Sequence, residues 1–178
     1  MVNVWSFAAG LVALAGGVAS NGLSQFGTSL GIQPAATAAP TPQQGSLGTS
    51  FTETDDSSNT MSIALGSVID PAHGTSDFDQ PSTGNRFVAA EFKLTGIRGS
   101  SADNANNNAS LIGDNHHVYV ADLDDVSECT NFTSGDYKVA PNQSSTGCVV
   151  FQVPVGVTVL QVKWTPEFGG TATIWDVP

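Results

Sequence analysis

The sequence predicts an all-β domain in which two antiparallel sheets pack face to face as a sandwich. From residue 61 onward, apolar and polar residues alternate with a period of two in several short runs, as in half-buried strands. Turn-forming clusters such as "DPAHG" and "APNQSSTG" separate these runs. No ten-residue stretch in this part shows the 3.6-residue apolar period of a capped helix. About seven strands over about 115 residues suit a sandwich, with a barrel as the alternative.

Two runs define the faces of the predicted sheets. In residues 86–94, one face is apolar throughout, whereas the other becomes charged at Glu91 and Lys93. In residues 148–154, Cys148 lies on the face opposite the apolar set of Val149, Phe151 and Val153. The further predicted strands are residues 61–69, 117–123, 157–164 and 171–177.

Three details of these strands are also predicted. Gly66 interrupts the run 61–69 and indicates a bulge. Strict alternation in the run 157–164 places Leu160 on the same side as Val162 and Trp164. We expect Trp164 and Trp175 to pack between the sheets.

The N-terminal part differs in composition from this domain. Residues 1–20 contain an uncharged, Ala- and Val-rich stretch that is short for a membrane-spanning helix and resembles a signal peptide. No Lys or Arg precedes it, so a helix retained in the mature protein is the alternative. Residues 21–58 predict a flexible, Pro- and Ala-rich tether. The sandwich is predicted for residues 59–178.

The charge balance limits the classes of partner. The chain of 178 residues has 16 acidic residues against 5 Lys and Arg, for a net charge of −11. Binding to nucleic acid or to anionic membranes needs basic patches, so neither partner is expected, apart from membrane contact by the N-terminal segment. An acidic surface poor in lysine mainly favours solubility.

The only two cysteines, Cys129 and Cys148, flank a polar stretch of sequence. Their spacing does not suit a zinc site, and a nucleophilic role would need a histidine nearby in space. In a secreted chain, such a pair predicts a disulfide, with two free core thiols as the alternative. His73 lies in a turn and has no partner evident from the sequence.

An acidic cluster is the one weak candidate for a metal site. It consists of Asp122, Asp124, Asp125 and Glu128, whose carboxylate oxygens are the ligand type that Ca²⁺ prefers. The spacing is not that of an EF-hand loop, so a solvated acidic strand end is the simpler interpretation. The pattern "GTSLG" (27–31) matches a nucleophile elbow around Ser29 but lacks the required strand and helix context. No cofactor and no catalytic residue is predicted.

The second half of the domain resembles a bacterial telokin-like extracellular domain of immunoglobulin type. The stretch "APNQSSTGCVVFQVPVGVTVLQVKWTP" carries the likeness, together with "GNRFVAAEFKLTGI" and the terminal "TATIWDV". The mycobacterial immunoprotective extracellular protein family shares this fold. Asn142 stands where that pattern usually has glycine, and Gly96 stands where it usually has Asn. The resemblance implies an immunoglobulin-like sandwich, secretion and an actinobacterial source, and it supplies no catalytic residues.

These observations predict a secreted or cell-envelope module that binds an unidentified protein or surface partner or has a structural role, and that is not an enzyme. The alternative is a subunit of an extracellular filament or surface assembly. In that case the N-terminal apolar segment would be retained, and its small residues would allow close packing with further copies of the chain.

Overall fold

The computed structural model describes residues 40–167 and 170–178. The predicted signal segment, most of the predicted tether and the motif around Ser29 lie outside the described residues. The described strands are β1 (Gln43–Ser46), β2 (Ser50–Thr54), β3 (Thr60–Ala72), β4 (Asn85–Arg98), β5 (Ser101–Asn104), β6 (Ala109–Gly113), β7 (Val118–Asp122), β8 (Asp136–Val139), β9 (Ser144–Pro154), β10 (Val159–Trp164) and β11 (Thr173–Asp176). They are accompanied by the short helix α1 (Ala105–Asn108) and a 3₁₀ turn at Thr133–Gly135.

Nine of the strands form one hydrogen-bonded ribbon in the order β1-β11-β10-β6-β7-β9-β4-β3-β2. Strand β7 pairs with β6 on one side and, through Ala121 and Asp122 only, with β9 on the other. The two halves of the ribbon therefore face each other as a sandwich, which confirms the predicted all-β fold class. Strands β5 and β8 form a separate pair. The described strands outnumber the roughly seven that the sequence predicts.

The inner core lies between the two halves of the ribbon. Phe92 from β4 packs against Trp164 from β10, with ring centroids 5.0 Å apart. Phe51 from β2 meets Trp175 from β11 edge to face at 5.4 Å. Both tryptophans are fully buried, as predicted. Aromatic rings from opposite halves thus bring the largest apolar surfaces together, and apolar burial is the main favourable contribution to folding.

A second, smaller cluster lies on the outward face of β4 and β9. We call it the outer cluster; its buried members are Ala72, Phe87, Ala89, Val126, Cys148 and Val150. All but Val126 are on β3, β4 or β9, whereas Val126 comes from the segment between β7 and β8. That segment covers a face of the sheet that would otherwise expose apolar side chains to water.

The alternation predicted for β4 and β9 is confirmed. Val88 and Phe92 of β4, and Val149 and Phe151 of β9, belong to the inner core. The alternate side chains, such as Ala89 of β4 and Val150 of β9, point outward, as the two-residue period of a strand requires. The predicted irregularity at Gly66 is also confirmed, because the register between β3 and β4 shifts between Leu65 and Ser67.

The predicted direction of Leu160 is wrong. The register between β10 and β6 shifts between Val159 and Gln161, so a bulge interrupts the alternation. As a result, Val159 is buried and Leu160 faces solvent, while Val162 and Trp164 remain in the core. The bulge inverts the side-chain direction of only the first part of the strand.

The sheet begins before the predicted domain start at residue 59. Strand β1 pairs in parallel with β11, and β2 pairs antiparallel with β3, so residues 43–54 belong to the sandwich and not to a tether. The other pairings among the described strands are antiparallel. The indole Nε1 of Trp175 donates to the carbonyl of Thr49 at 2.7 Å and anchors the connection between β1 and β2. Backbone pairing holds these polar edge strands, which explains why their composition resembles a linker.

The two positions that depart from the telokin-like pattern lie against each other. Asn142 has φ = 66°, a left-handed conformation that Asn adopts more readily than most residues other than glycine. Its backbone N–H donates to the carbonyl of Gly96 at 2.9 Å. A Cβ at Gly96 would lie 2.2 Å from the carbonyl oxygen of Ala140, so the close approach of this turn requires glycine there.

Among the described residues, no helix has the length and apolar character that crossing a membrane requires.

Candidate functional site

The predicted disulfide is present between Cys129 and Cys148, with the two sulfur atoms 2.02 Å apart. Cys148 lies on the outward face of β9, and Cys129 lies in the segment that covers the outer cluster. A backbone hydrogen bond beside the disulfide reinforces it, since the N–H of Cys148 donates to the carbonyl of Thr130 at 2.9 Å. The segment is therefore fixed against the sheet. A disulfide of this kind is typical of an oxidising compartment.

A second tie joins this segment to the loop after β3. The carboxylate of Glu128 accepts hydrogen bonds from the backbone N–H of His73 at 3.0 and 3.1 Å and lies 2.5 Å from the Nδ1 of the same residue. These contacts lower the pKa of Glu128 to about 2, the backbone bond having the largest effect. The N–H of Ser127 also donates to the carbonyl of His73 at 2.9 Å. His73 thus has a partner that only the fold could reveal.

Three of the predicted acidic residues meet at a cavity of about 260 Å³. Asp122, Asp124 and Asp125 line it, together with Cys148 and Val150 of β9. The carboxylate of Asp122 accepts from the N–H of Asp124 at 3.1 Å and from the side-chain amide of Gln152 at 2.6 Å. Partial burial raises the pKa of Asp124, and nearby carboxylates, first that of Asp122, raise it further. The cavity therefore presents concentrated negative charge.

The four residues of the weak calcium candidate, Asp122, Asp124, Asp125 and Glu128, are not brought together. Glu128 does not line the cavity, because its carboxylate is bound to His73 instead. Asp122 is engaged by Gln152 and by the backbone of its own turn. Within residues 40–167 and 170–178, no three His, Cys, Asp or Glu side chains are grouped so that they could hold a metal ion. Glu128 is separated from the other three acids because the loop directs side chains that are three to six residues apart toward different neighbours.

Two large apolar side chains on the loops that carry these aspartates and Asp79 face solvent. Leu123, which also lines the cavity, is 85% exposed, and Phe78 is 97% exposed. Asp124 follows Leu123 in the sequence, and Asp79 follows Phe78. The two carboxylates are close enough for that of Asp79 to raise the pKa of Asp124. We call residues 78–79 and 123–125 the acidic rim.

The loop that carries Phe78 is held in shape by its own hydrogen bonds. The carboxylate of Asp79 accepts from the hydroxyls of Thr75 and Ser76, at 2.5 and 2.7 Å, and these bonds lower the pKa of Asp79. The side chain of Gln80 donates to the carbonyl of Ser76 at 3.0 Å. The N–H of Thr75 donates to the carbonyl of Asp125 at 3.3 Å, which ties the two halves of the rim together. Phe78 is therefore presented on an ordered turn.

Sequence reasoning identified the acids and the disulfide but missed the outer cluster and the rim. One available indication was that Phe87 and Ala89 stand on the outward face of β4, where exposed residues are expected to be polar. Two consecutive apolar positions on an outward face predict a covering segment. No pattern in the sequence indicates that Glu128 binds His73, since 55 residues separate them.

The chain matches no protein-family model and no curated protein sequence. Among solved structures, it is similar to an uncharacterized beta-sandwich protein from Clostridium difficile 630, with 8% identity, 80% of this chain and 99% of that chain covered, and a TM-score of 0.50. It is also similar to the yjhA protein from Bacillus subtilis, with 10% identity, 75% and 99% coverage, and a TM-score of 0.48. At such identities, the likeness to the Clostridium protein supports the β-sandwich fold alone.

Proposed function

We propose that the chain is a secreted or cell-envelope binding module that contacts a partner through its acidic rim. The observation that carries the proposal is the exposure of Phe78 and Leu123 on two loops that are cross-tied to each other. Large apolar side chains that remain exposed on ordered loops are characteristic of binding surfaces. A fixed rim also loses less conformational entropy on binding than a mobile loop would.

The charge of the rim defines the chemistry of the partner. Asp79, Asp124 and Asp125 lie within two residues of the two apolar side chains in the sequence, and the chain as a whole has a net charge of −11. A complementary partner presents an apolar contact area bordered by Lys or Arg. The partner class we propose is a protein surface of this kind, and the proposed activity is binding without catalysis.

The disulfide and the fold support the proposed location. A covalent bond that fixes a surface loop persists in oxidising compartments such as the cell exterior. We further propose kinship with the telokin-like extracellular domains. The left-handed Asn142, at a position where that pattern usually has glycine, is compatible with this kinship.

Site-specific photo-crosslinking in the full-length protein tests the rim. A photoreactive amino acid replaces Phe78 in one variant, Leu123 in a second and Ile97 in a control. Ile97 is 51% exposed near the far end of β4. Positions 78 and 123 should label the same component of the native cell surface, whereas position 97 should not. Equal labelling from all three positions, or none from the rim, would refute the proposal.

The mass of the native protein separates this proposal from the filament alternative. A soluble or anchored module should be recovered without residues 1–20 and without a high-mass assembly of identical chains. Recovery of the intact N-terminus within such an assembly would favour a filament subunit. Labelling of a second copy of the chain from position 78 or 123 would lead to the same conclusion.

A further inference from the structure

A second polar site lies away from the rim, at one end of the inner core. Glu53 of β2 points inward and is only 7% exposed, and its Oε2 atom is buried without a hydrogen-bond partner. It lines a cavity of about 30 Å³ together with Asp55, Asp103 and Tyr137. Burying an ionised carboxylate that lacks a partner is strongly unfavourable, so Glu53 either keeps its proton or pairs with a cation.

The neighbouring polar atoms are also incompletely paired. The side-chain amide nitrogen of Asn108 donates to Asp103 at 3.0 Å and to the hydroxyl of Tyr137 at 3.4 Å. The carbonyl oxygen of the same side chain, which is 3% exposed, has no partner. The indole Nε1 of Trp164 is also buried and interacts with the Glu53 carboxyl, whose pKa it lowers, but it forms no hydrogen bond of normal geometry. Each of these atoms belongs to a residue that is fixed in the core, so the polar cluster is preorganised.

The cavity has negative charge and no internal counter-ion. Three carboxylates line it, those of Glu53, Asp55 and Asp103, and none of the lining residues in the described part of the chain is Lys, Arg or His. Once Glu53 has lost its proton, a neutral water molecule would satisfy hydrogen bonds but would leave this charge uncompensated. A bound cation with hydrogen-bond donors would satisfy the hydrogen bonds and also compensate the charge.

The sizes of the cavity and of the groove beside it limit the kind of cation that can bind. A cavity of about 30 Å³ has room for roughly one or two water-sized groups. A wider, open groove of about 480 Å³ shares Asp103 and Tyr137 with it and adds the carboxylate of Asp136. A small charged group could therefore occupy the cavity while the chain attached to it lies in the groove. A bare metal ion suits the site less well, since no three acidic side chains among the described residues are grouped as metal ligands.

We infer that this cavity binds a primary ammonium group, with its alkyl chain lying along the neighbouring groove. An ammonium group is a compact cation with three N–H donors, which matches the separated acceptors that line the cavity. The ligand is either a free alkylamine or the lysine side chain of a polypeptide. Both ligands present the same primary ammonium group to the cavity.

The inferred binding has a defined pH dependence. The pKa of Glu53 is raised to about 7, mainly by burial; the indole of Trp164 lowers it in part, and the neighbouring carboxylates of Asp103 and Asp55 add to the rise. The other titratable group that faces this site is Tyr137, whose pKa is raised mainly by burial. Glu53 must lose its proton to pair with the ammonium group, so binding should strengthen as the pH rises through 7.

Calorimetric titration of the full-length protein tests the inference with n-butylamine as the free amine and Nα-acetyl-lysinamide as the polypeptide mimic. Saturable binding of either ligand at pH 8, at least tenfold weaker at pH 5.5, is expected. Tighter binding of the lysine derivative would identify a polypeptide source, and tighter binding of butylamine a free amine. Calcium chloride and tetramethylammonium serve as competing probes.

Variants assign the binding to this cavity. Glu53→Gln and, independently, Asp103→Asn should each weaken butylamine binding at least tenfold at pH 8. Asp114→Asn, at an exposed position of the β6–β7 turn, removes one negative charge elsewhere and should leave the affinity unchanged. Absence of saturable amine binding would overturn the inference. So would Ca²⁺ binding that depends on Glu53 without amine binding, or equal affinity for tetramethylammonium.

Discussion

The inner core and the outer cluster are held together in different ways. The inner core joins both halves of the ribbon through large aromatic side chains such as Phe92 and Trp164. The outer cluster is a single layer of smaller side chains on one face of β4 and β9, covered by a loop that contributes Val126. Packing between sheets excludes water over a wide area, whereas one loop residue covers little. The loop is accordingly fastened by a disulfide and by the contacts of Glu128 with His73.

This difference matters for the proposed binding, because the fastened loop carries Leu123, Asp124 and Asp125 of the acidic rim. The sandwich supplies a rigid base, and the ties hold the rim in one arrangement. We expect damage to the inner core to lower the stability of the whole domain. Damage to the ties should loosen the rim first.

The largest expected contrast is between two buried phenylalanines. Phe151 faces the inner core and Phe87 faces the outer cluster. Phe151→Ala should lower the free energy of unfolding by about 4 kcal/mol, because the surrounding sheets cannot close the resulting cavity. Phe87→Ala should have a smaller effect, since the covering loop can move inward. Guanidinium denaturation of both variants measures the difference; a larger loss for Phe87→Ala would reverse the assignment of the two regions.

Removal of the disulfide should have the next largest effect. The bond closes a loop with a sequence separation of 19 residues, and the double variant Cys129→Ala/Cys148→Ala should lose about 3 kcal/mol. The inner core remains complete, so the variant should still fold into the sandwich. Near-ultraviolet circular dichroism of the core tryptophans, together with denaturation, provides the check. Loss of the tryptophan signal in native buffer would show that the sandwich itself depends on the bond.

In the absence of an amine, Glu53 should make the free energy of unfolding depend on pH. Its folded-state pKa of about 7 lies above the ordinary value of 4.5, so the folded state holds the proton more tightly than the unfolded chain does. The contribution is fully present below pH 4.5 and is lost as the pH rises through 7, which amounts to about 3 kcal/mol. The stability difference between wild type and Glu53→Gln should change by this amount between pH 4 and pH 8. A pH-independent difference would contradict the assigned burial.

The smallest expected effect concerns the tie between Glu128 and His73. The pKa of Glu128, about 2, is lowered mainly by the backbone N–H of His73, which a side-chain substitution leaves in place. In His73→Ala, the pKa of Glu128 should therefore rise but stay below 4.5. Its contribution to stability is present above pH 4.5 and declines as the pH falls toward 2. Carboxyl-carbon NMR titration measures this pKa; a full return to 4.5 would assign the tie to the imidazole alone.

Local sequence patterns correctly predict the parts of the fold in which the direction of a side chain follows from its position along a strand. The faces of β4 and β9 and the bulge at Gly66 belong to this class. The bulge at Val159 does not, because the run 157–164 contains no glycine to indicate it. Strands β1 and β2 were also missed, since partners far along the chain stabilise them and their own composition does not.

The candidate site likewise contains features that the sequence predicts and features that depend on contacts between distant segments. The disulfide was predictable because a lone cysteine pair has few alternatives in an oxidising compartment. The acids at Asp122, Asp124 and Asp125 were identified, but the separation of Glu128 from them depends on a contact across 55 residues. The inward direction of Glu53 depends on a strand that the sequence did not indicate.

Native-state hydrogen exchange of the Cys129→Ala/Cys148→Ala variant tests most directly whether the fastened loop is a unit separate from the sandwich. The amide of Ser127, which donates to the carbonyl of His73, reports the loop, and the amide of Phe92 reports the paired strands β4 and β9. In the variant, we predict that opening of the loop requires much less free energy than global unfolding, so Ser127 should exchange at least tenfold faster than Phe92 after correction for intrinsic rates. Equal opening free energies at the two amides would show that loop and sandwich unfold as one unit, and would contradict this account.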